Sequence, residues 1–303
     1  MTNKSKFLIV IAGPTAVGKT AVAIELAQIL NTEIISADSR QFYLEPSIGT
    51  AKPDFEQLCK VPHHFIGQLS VRDYYNVSLF ENQVLLKLAQ LFDKKNTVLM
   101  VGGSGLYIDA VCNGIDDFPD PSPDLRKELK ATFEQKGLIK LQEMLEQIDP
   151  EYYNEVDRSN PNRILRALEV CLTTGRKFSE LRLNNKKVRD FQVIKIGLNL
   201  PRQVLFARIN NRVDDMMNSG LLQEVRSLSA YRNENALNTV GYKELFEYLD
   251  NTVTLNQAVE NIKTNTRRYA KRQLTWFNRT TDYTWFEPSD LNEIASYIIN
   301  KCK

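Results

Sequence analysis

Phe7-Leu8-Ile9-Val10-Ile11-Ala12-Gly13-Pro14-Thr15-Ala16-Val17-Gly18-Lys19-Thr20 is the stretch that decides the fold. Its first six residues form a continuous apolar run, the mark of a strand buried on both faces of a parallel sheet. The next eight fit the pattern G-x-x-x-x-G-K-[ST] in full. From Ala21 to Leu30 apolar residues recur at helical spacing, so the order is strand, glycine loop, helix. In that order the loop is a phosphate cradle. Glycines let backbone N–H groups turn inward, and the helix N-terminus adds partial positive charge. The binding residues are then Gly13, Pro14, Thr15, Ala16, Val17, Gly18, Lys19 and Thr20. Lys19 can reach the outer phosphates, and the Thr20 hydroxyl can hold Mg²⁺. The loop indicates a bound phosphate chain without saying whose.

Working outward, further strands are expected at Glu33–Ser36, His64–Gly67, Thr97–Gly102 and Gln192–Leu200, with helices between them, notably Val77–Phe92. Strands alternating with helices predict an α/β fold, a P-loop NTPase-like parallel sheet flanked by helices. The rhythm breaks between Asp120 and Asp190. This stretch opens on Pro119-Asp120-Pro121-Ser122-Pro123, a boundary signal, and holds helical patterns without a good strand. We read residues 121–189 as a helical insertion into a discontinuous core made of 1–120 and 190–303. The last hundred residues are mostly helical, at Arg202–Ser219, Leu221–Tyr231, Leu255–Phe277 and Ser289–Asn300.

Composition narrows the function classes. A chain of 303 residues with 43% hydrophobic content has material for a sizeable core. Cys59, Cys112, Cys171 and Cys302 show no metal-ligand spacing, which argues against structural zinc. Scattered thiols, and a polar start from Met1 to Lys6 without a signal-peptide pattern, fit a reducing cytoplasm. No apolar run approaches the ~18 residues of a membrane span. Net charge is only +2, so affinity for a polyanion must come from local clustering. Two clusters exist. Residues 158–189 hold nine Lys/Arg and two acids, and residues 263–279 hold six Lys/Arg and no acid, interleaved with Tyr269, Trp276 and Phe277. Either alone reads equally well as a solvated helix face; two beside a phosphate loop point to a polyanionic partner.

Individual residues add chemistry. Asp38 follows a short strand parallel to the loop strand, so it should lie at the same sheet edge, where ligands of open α/β sheets bind. There it suits a Mg²⁺ ligand or a general base; the alternative is an N-cap for a helix beginning near Ser39. The strand Thr97–Gly102 runs into Gly103-Ser104-Gly105 and carries no terminal acid, unlike hydrolytic P-loop ATPases. Arg208 and Arg212, four apart, share a helix face and could clamp a diphosphate or be a surface pair. His63 and His64, adjacent on an extended segment, point to opposite sides and read as structural.

Taken together, several motifs resemble the tRNA dimethylallyltransferases, also called tRNA isopentenyltransferases, of bacterial type. They are Gly13–Thr20, Ser36–Gln41, Ile48-Gly49-Thr50-Ala51-Lys52-Pro53, Pro62-His63-His64, Gly102–Tyr107, Asn162–Val170, Val240-Gly241-Tyr242-Lys243-Glu244 and Tyr269–Phe277. The family transfers a dimethylallyl group from dimethylallyl diphosphate to N6 of the adenosine on the 3′ side of the anticodon. The resemblance implies that the phosphate chain is the isoprenoid's diphosphate. By motif it makes Asp38 the general base, places Thr15, Lys19 and Thr20 on the diphosphate, and puts Arg212 on the leaving group. It matches Asp38, Ser39, Arg40, Gln41, Ser104, Arg126, Asn162, Arg163, Arg166, Lys271, Arg272, Gln273, Trp276 and Arg279 to positions that contact the tRNA anticodon arm. It also implies Mg²⁺ as cofactor, a cytoplasmic location and a chain that acts as a monomer.

Ser104 stands where threonine is common, Asn162 where several members have glutamine, and Asn278 where a basic residue is usual, with Arg279 one position later. Three other readings carry less of the sequence. An adenylate isopentenyltransferase needs neither basic cluster nor insertion. A small-molecule kinase does not explain the glycine-rich strand end. A non-catalytic RNA-binding module leaves Asp38 beside an intact phosphate loop unexplained.

Overall fold

The computed structural model of the protein describes residues 5–183 and 185–303; the first four residues of the polar start lie outside it. In chain order it contains β1 (Phe7–Ala12), α1 (Lys19–Ile29), β2 (Ile34–Ser36), α2 (Phe55–Lys60), β3 (His63–His64), α3 (Val77–Phe92), β4 (Thr97–Gly102) and α4 (Gly105–Asn113). There follow α5 (Pro123–Ile148), α6 (Pro150–Glu155), α7 (Pro161–Thr174), α8 (Phe178–Leu181), β5 (Gln192–Leu198) and α9 (Arg202–Asn218). The chain ends with α10 (Leu221–Ser227), α11 (Tyr242–Leu249), α12 (Leu255–Phe277), β6 (Tyr283–Phe286) and α13 (Leu291–Lys301). It divides into two compact units, one of Met1–Asn113 with Val188–Lys303 and one of Gly114–Lys187.

The first unit is a six-stranded sheet in the order β3-β2-β4-β1-β5-β6, and every strand pair is parallel. This is the α/β architecture expected. β1 sits between β4 and β5, so both its edges are paired and all six of its residues are buried. Its side chains alternate between two cores. Phe7, Ile9 and Ile11 pack with residues of α1, α9 and α13, while Leu8, Val10 and Ala12 pack with residues of α3 and α4. The continuous apolar run is what burial on both faces demands. Because the chain leaves β1 for β2 on one side and β5 adds on the other, the loop after β1 lies at a topological switch point.

The strand expected at His64–Gly67 is instead His63–His64. Phe65 takes φ 65°, a left-handed conformation that ends the extended backbone at once. β6 is a strand beyond those expected, and its Tyr283-Thr284-Trp285-Phe286 pairs with β5 at the sheet edge. Four residues of β-branched and aromatic type are a weak periodic signal, although their composition favours a strand.

The second unit is helical. α5 is broken at Gly137, with φ 74°, so two helical segments meet there. Leu141 and Leu145 pack against Ile164, Leu168 and Phe178 in a core of the unit's own. Asp149 is fully buried, yet it accepts hydrogen bonds from the Tyr152 N–H at 3.1 Å and from the Ser179 N–H and hydroxyl, each at 2.8 Å. A buried carboxylate is tolerable only with such donors.

Candidate active site

The loop after β1 turns through Gly13 and Gly18 into α1, as its sequence requires. Lys19 opens α1 with its ammonium turned into the loop, donating to the carbonyls of Gly13 at 3.0 Å and Pro14 at 2.8 Å. Burial pushes its pKa down to about 8; the Asp38 carboxylate opposes this and the Arg212 guanidinium adds to it. Burial likewise lowers the pKa of Arg212, against the pull of Asp38. One carboxylate and two cations therefore face one another at the sheet edge.

Asp38 stands two residues beyond β2. No helix starts at Ser39; residues 39–42 form turns, and the Asp38 carboxylate accepts the Arg40 N–H at 3.0 Å. The helix-cap alternative is therefore set aside. Asp38 lies between two cavities and, among the described residues, is the one lining both. The larger, about 470 Å³, is bordered by Thr15, Asp38, Arg40, Arg212, Tyr269 and Arg272 among others. That is within the range that holds a small ligand or an extruded base. The smaller, about 40 Å³, is bordered by Lys19, Thr20, Asp38 and His63. A carboxylate between a base-sized cavity and a phosphate loop can accept a proton on one side, with Lys19 on the other side to stabilise an anion and Arg212 beside it on the wall of the large cavity.

The glycine-rich end of β4 fits closely under α12. A Cβ on Gly103 would lie 2.2 Å from the Gln273 side chain, so only glycine allows the approach. Gln273 accepts the Thr15 N–H at 2.8 Å and donates to the Gly103 carbonyl at 2.9 Å. Buried, with both ends of its amide engaged, it ties the phosphate loop to the end of β4. The Ser104 hydroxyl accepts the Ser39 N–H at 3.0 Å and donates to the Ser39 hydroxyl at 3.1 Å, steadying the turn after Asp38. The Arg40 guanidinium donates to the carbonyls of Asn235 at 2.6 Å and Ala236 at 3.2 Å. Gln41 donates to the carbonyls of Thr50 at 3.2 Å and Ala51 at 3.0 Å.

At the C-terminal end of α12, Lys271, Arg272 and Arg279 are exposed. The Arg279 guanidinium lies 4.3 Å from the Trp276 ring centre, and the indole N–H donates to Asp109 at 2.8 Å. In the second unit, Asn162 and Arg163 are exposed on the first turn of α7. Arg126 and Arg166 both reach the largely buried Glu169, each at 3.3 Å.

Arg208 does not join Arg212 in the cavity wall. Its guanidinium donates to the Val17 carbonyl at 3.0 Å and holds the phosphate loop from outside. Residues four apart share a face, but that spacing alone does not say which reaches the ligand. His64 meets the Glu33 carboxylate at 2.7 Å and the His63 ring meets the Val61 carbonyl at 2.8 Å, consistent with structural roles, although His63 also borders the small cavity. Tyr269 was missed as a site residue. It borders the large cavity, and burial first, then the Asp38 charge, raises its hydroxyl pKa, so it stays a neutral donor. Its place among the basic residues of α12 was the available signal.

Among the described residues no group of three or more His, Cys, Asp or Glu side chains could hold a metal. A Mg²⁺ bound chiefly by phosphate oxygens and water needs only one or two protein oxygens. Thr20, bordering the small cavity with Asp38, fits that requirement.

The Lys19 pKa carries a prediction. An anion in the loop favours the charged ammonium, so binding raises its pKa and takes up a proton wherever the free lysine is neutral. Measured against Lys19→Met, in which only the ionisations of pyrophosphate itself remain, wild-type pyrophosphate affinity should fall as pH rises through about 8. Titration calorimetry at pH 8.5 in two buffers of different ionisation enthalpy should register more proton uptake by the wild type than by Lys19→Met. Equal proton uptake by the two proteins would count against Lys19 as the phosphate cation.

A family model described as IPP transferase matches residues 41–280. The chain is 48% identical over 294 residues to "tRNA dimethylallyltransferase 1" of Bacteroides fragilis, covering 97% of this chain and 98% of that protein. It is 49% identical over 298 residues to the tRNA dimethylallyltransferase of Christiangramia forsetii, covering 98% and 99%. Among solved structures, the full-length tRNA isopentenylpyrophosphate transferase of Bacillus halodurans superposes with a TM-score of 0.72 at 36% identity, over 99% of this chain and 97% of that one. A eukaryotic dimethylallyltransferase captured acting on tRNA gives a TM-score of 0.77 at 29% identity, over 95% of this chain and 75% of that one.

Proposed function

The chain belongs to the IPP transferase family, and from that membership and the geometry around Asp38 we propose that it is a tRNA dimethylallyltransferase. It moves a dimethylallyl group from dimethylallyl diphosphate to N6 of the adenosine on the 3′ side of the anticodon. The observation that carries this reading is Asp38, which opens both on a cavity of base size and on the phosphate loop.

The chemistry follows from the residues. An exocyclic amine is a weak nucleophile because its lone pair is delocalised into the ring. The Asp38 carboxylate takes the amine proton as the C–N bond forms. The bond from the isoprenoid carbon to the diphosphate oxygen breaks, and the departing diphosphate gains charge. Lys19, Arg212 and the loop N–H groups stabilise that charge more in the transition state than in the ground state. Lys19 turns from the Gly13 and Pro14 carbonyls to the phosphates. Thr20 would hold Mg²⁺, which supplies further neutralisation of the diphosphate when bound. The target base leaves its stack to enter the large cavity. An anticodon loop suits this because its bases are unpaired.

The same proposal makes the exposed residues of α12 and α7 the grip on the anticodon arm, and the protein a monomer working in the cytoplasm. Among the described residues no helix is long and apolar enough to cross a membrane. The decisive assay supplies dimethylallyl diphosphate with undermodified tRNA, or with AMP, and identifies the product. Prenylated AMP in place of prenylated tRNA would overturn the substrate assignment.

Affinity for tRNA should fall steeply with salt. In Arg166→Ala, Lys271→Ala and Arg272→Ala, each lost phosphate contact should flatten the log–log slope by roughly 0.7–0.9. Backbone contacts predict equal weakening for all tRNAs, and an effect confined to one base beside the target would indicate base readout. Unchanged slopes in all three variants would remove these residues from the tRNA site.

A further inference from the structure

Glu224 lies on α10 and has no part in the chemistry just described, yet its carboxylate accepts four hydrogen bonds beside the large cavity. One oxygen accepts the N–H groups of Ser47 at 2.8 Å and Ile48 at 2.7 Å. The other accepts the Gly49 N–H at 3.0 Å and the Tyr242 hydroxyl at 2.6 Å. Three successive backbone donors converging on one carboxylate make a nest, and hydrogen bonds to a charged acceptor are the strong kind. The nest is made by a turn with its own internal ties: the Thr50 hydroxyl donates to the Pro46 carbonyl at 2.8 Å, and the Ala51 N–H to the Ile48 carbonyl at 2.9 Å.

The turn faces the site. Gly49 and Thr50 border the same 470 Å³ cavity as Asp38. Behind Gly49 stands the fully buried Tyr242, so close that a Cβ on Gly49 would lie 2.6 Å from its ring. On its other side the turn is held by Gln41, through the Thr50 and Ala51 carbonyls, and the Gln41 N–H donates to the Asp38 carbonyl at 3.1 Å. Hydrogen bonds thus run without a break from Glu224 through the turn and Gln41 to the Asp38 backbone.

We propose that Glu224, seconded by Tyr242, is a positioning residue for the transfer, fixing through the Ser47–Ala51 turn both a wall of the base cavity and the segment that carries Asp38. The inference rests on the prenyl-transfer reading. Glu224→Gln tests it without changing volume. A glutamine offers one acceptor oxygen where the carboxylate offers two, and its NH₂ confronts backbone donors, so the turn is released on one side. A displacement of the reacting groups by about 1 Å costs on the order of 10²-fold. The expected result is a fall in kcat of about 10- to 100-fold at saturating substrates, with pyrophosphate inhibition and tRNA affinity near wild type. Both are set by other residues, the phosphate loop and the basic clusters.

A role confined to holding the fold together would instead lower Tm and leave kcat of the folded protein unchanged well below Tm. Tyr242→Phe removes a single donor and keeps the ring that packs on Gly49. It should lower kcat by about three- to tenfold, the size of one hydrogen bond, and serves if Glu224→Gln does not fold. Wild-type kcat in both variants, or in Tyr242→Phe alone if Glu224→Gln does not fold, overturns the inference while leaving the prenyl-transfer reading intact. Absence of transfer by the wild-type protein overturns that reading and this inference with it.

Discussion

Replacing Asp38 by alanine lowers kcat by about 10²–10⁴-fold, the usual size of a general-base contribution, and leaves tRNA affinity near wild type. The expectation rests on position. Among the described residues Asp38 alone borders both the base-sized cavity and the phosphate-loop cavity, and its carboxylate is oriented by the Arg40 N–H. Binding of tRNA depends on phosphate contacts elsewhere, so affinity and turnover separate. Asp38→Asn is the sharper variant. The amide oxygen can still accept the Arg40 N–H, so the turn survives while the proton acceptor is lost. Either substitution also removes the charge that favours protonated Lys19 against burial, which lowers the lysine pKa further. Rates should therefore be compared as pH profiles, so that a change in Lys19 ionisation is separated from loss of the base. Single-turnover rates with saturating substrates and tRNA binding measured separately decide the matter. Turnover of Asp38→Asn within about threefold of wild type would falsify the base assignment.

What was legible in the sequence was local or periodic. The apolar run of β1, the glycine pattern and the helix after it are neighbours along the chain, and they set the sheet centre and the phosphate loop. Asp38 could be placed because a strand parallel to β1 delivers its end to the same edge. What was not legible depends on partners far apart in sequence. Gln273 bridges Thr15 and Gly103, and Glu224 gathers the N–H groups of Ser47–Gly49; no window of residues contains either pair. Arg208 and Arg212 could be assigned to one helix face, but only packing separates the guanidinium that holds Val17 from the one that faces Asp38. The short β3 is of the same kind: extended propensity ran on past His64, and a left-handed Phe65 stopped it.

Lys19→Ala and Arg212→Ala should each lower kcat by about 10²–10³-fold or weaken pyrophosphate inhibition correspondingly, the scale of losing one preorganised donor to a developing anion. Both leave tRNA affinity unchanged. Their effects differ in kind. The Lys19 ammonium points into the loop, where it donates to Gly13 and Pro14 until phosphates replace them, so alanine removes positive charge from the ground-state diphosphate as well as from the transition state. Arg212 borders the large cavity beside Asp38, so its loss bears more on the step in which charge leaves the isoprenoid carbon. Arg212→Lys should rescue poorly, because a point charge does not replace a planar guanidinium that can meet two phosphate oxygens. The two cations are also coupled. Arg212 disfavours protonation of Lys19, so removing it raises the lysine pKa above about 8. In Arg212→Ala, pyrophosphate affinity should accordingly begin to fall at a higher pH than in wild type, although it is weaker throughout. An unmoved pH profile would mean that the two charges do not share one anion. A substitution that changed only tRNA binding would remove that residue from the diphosphate clamp.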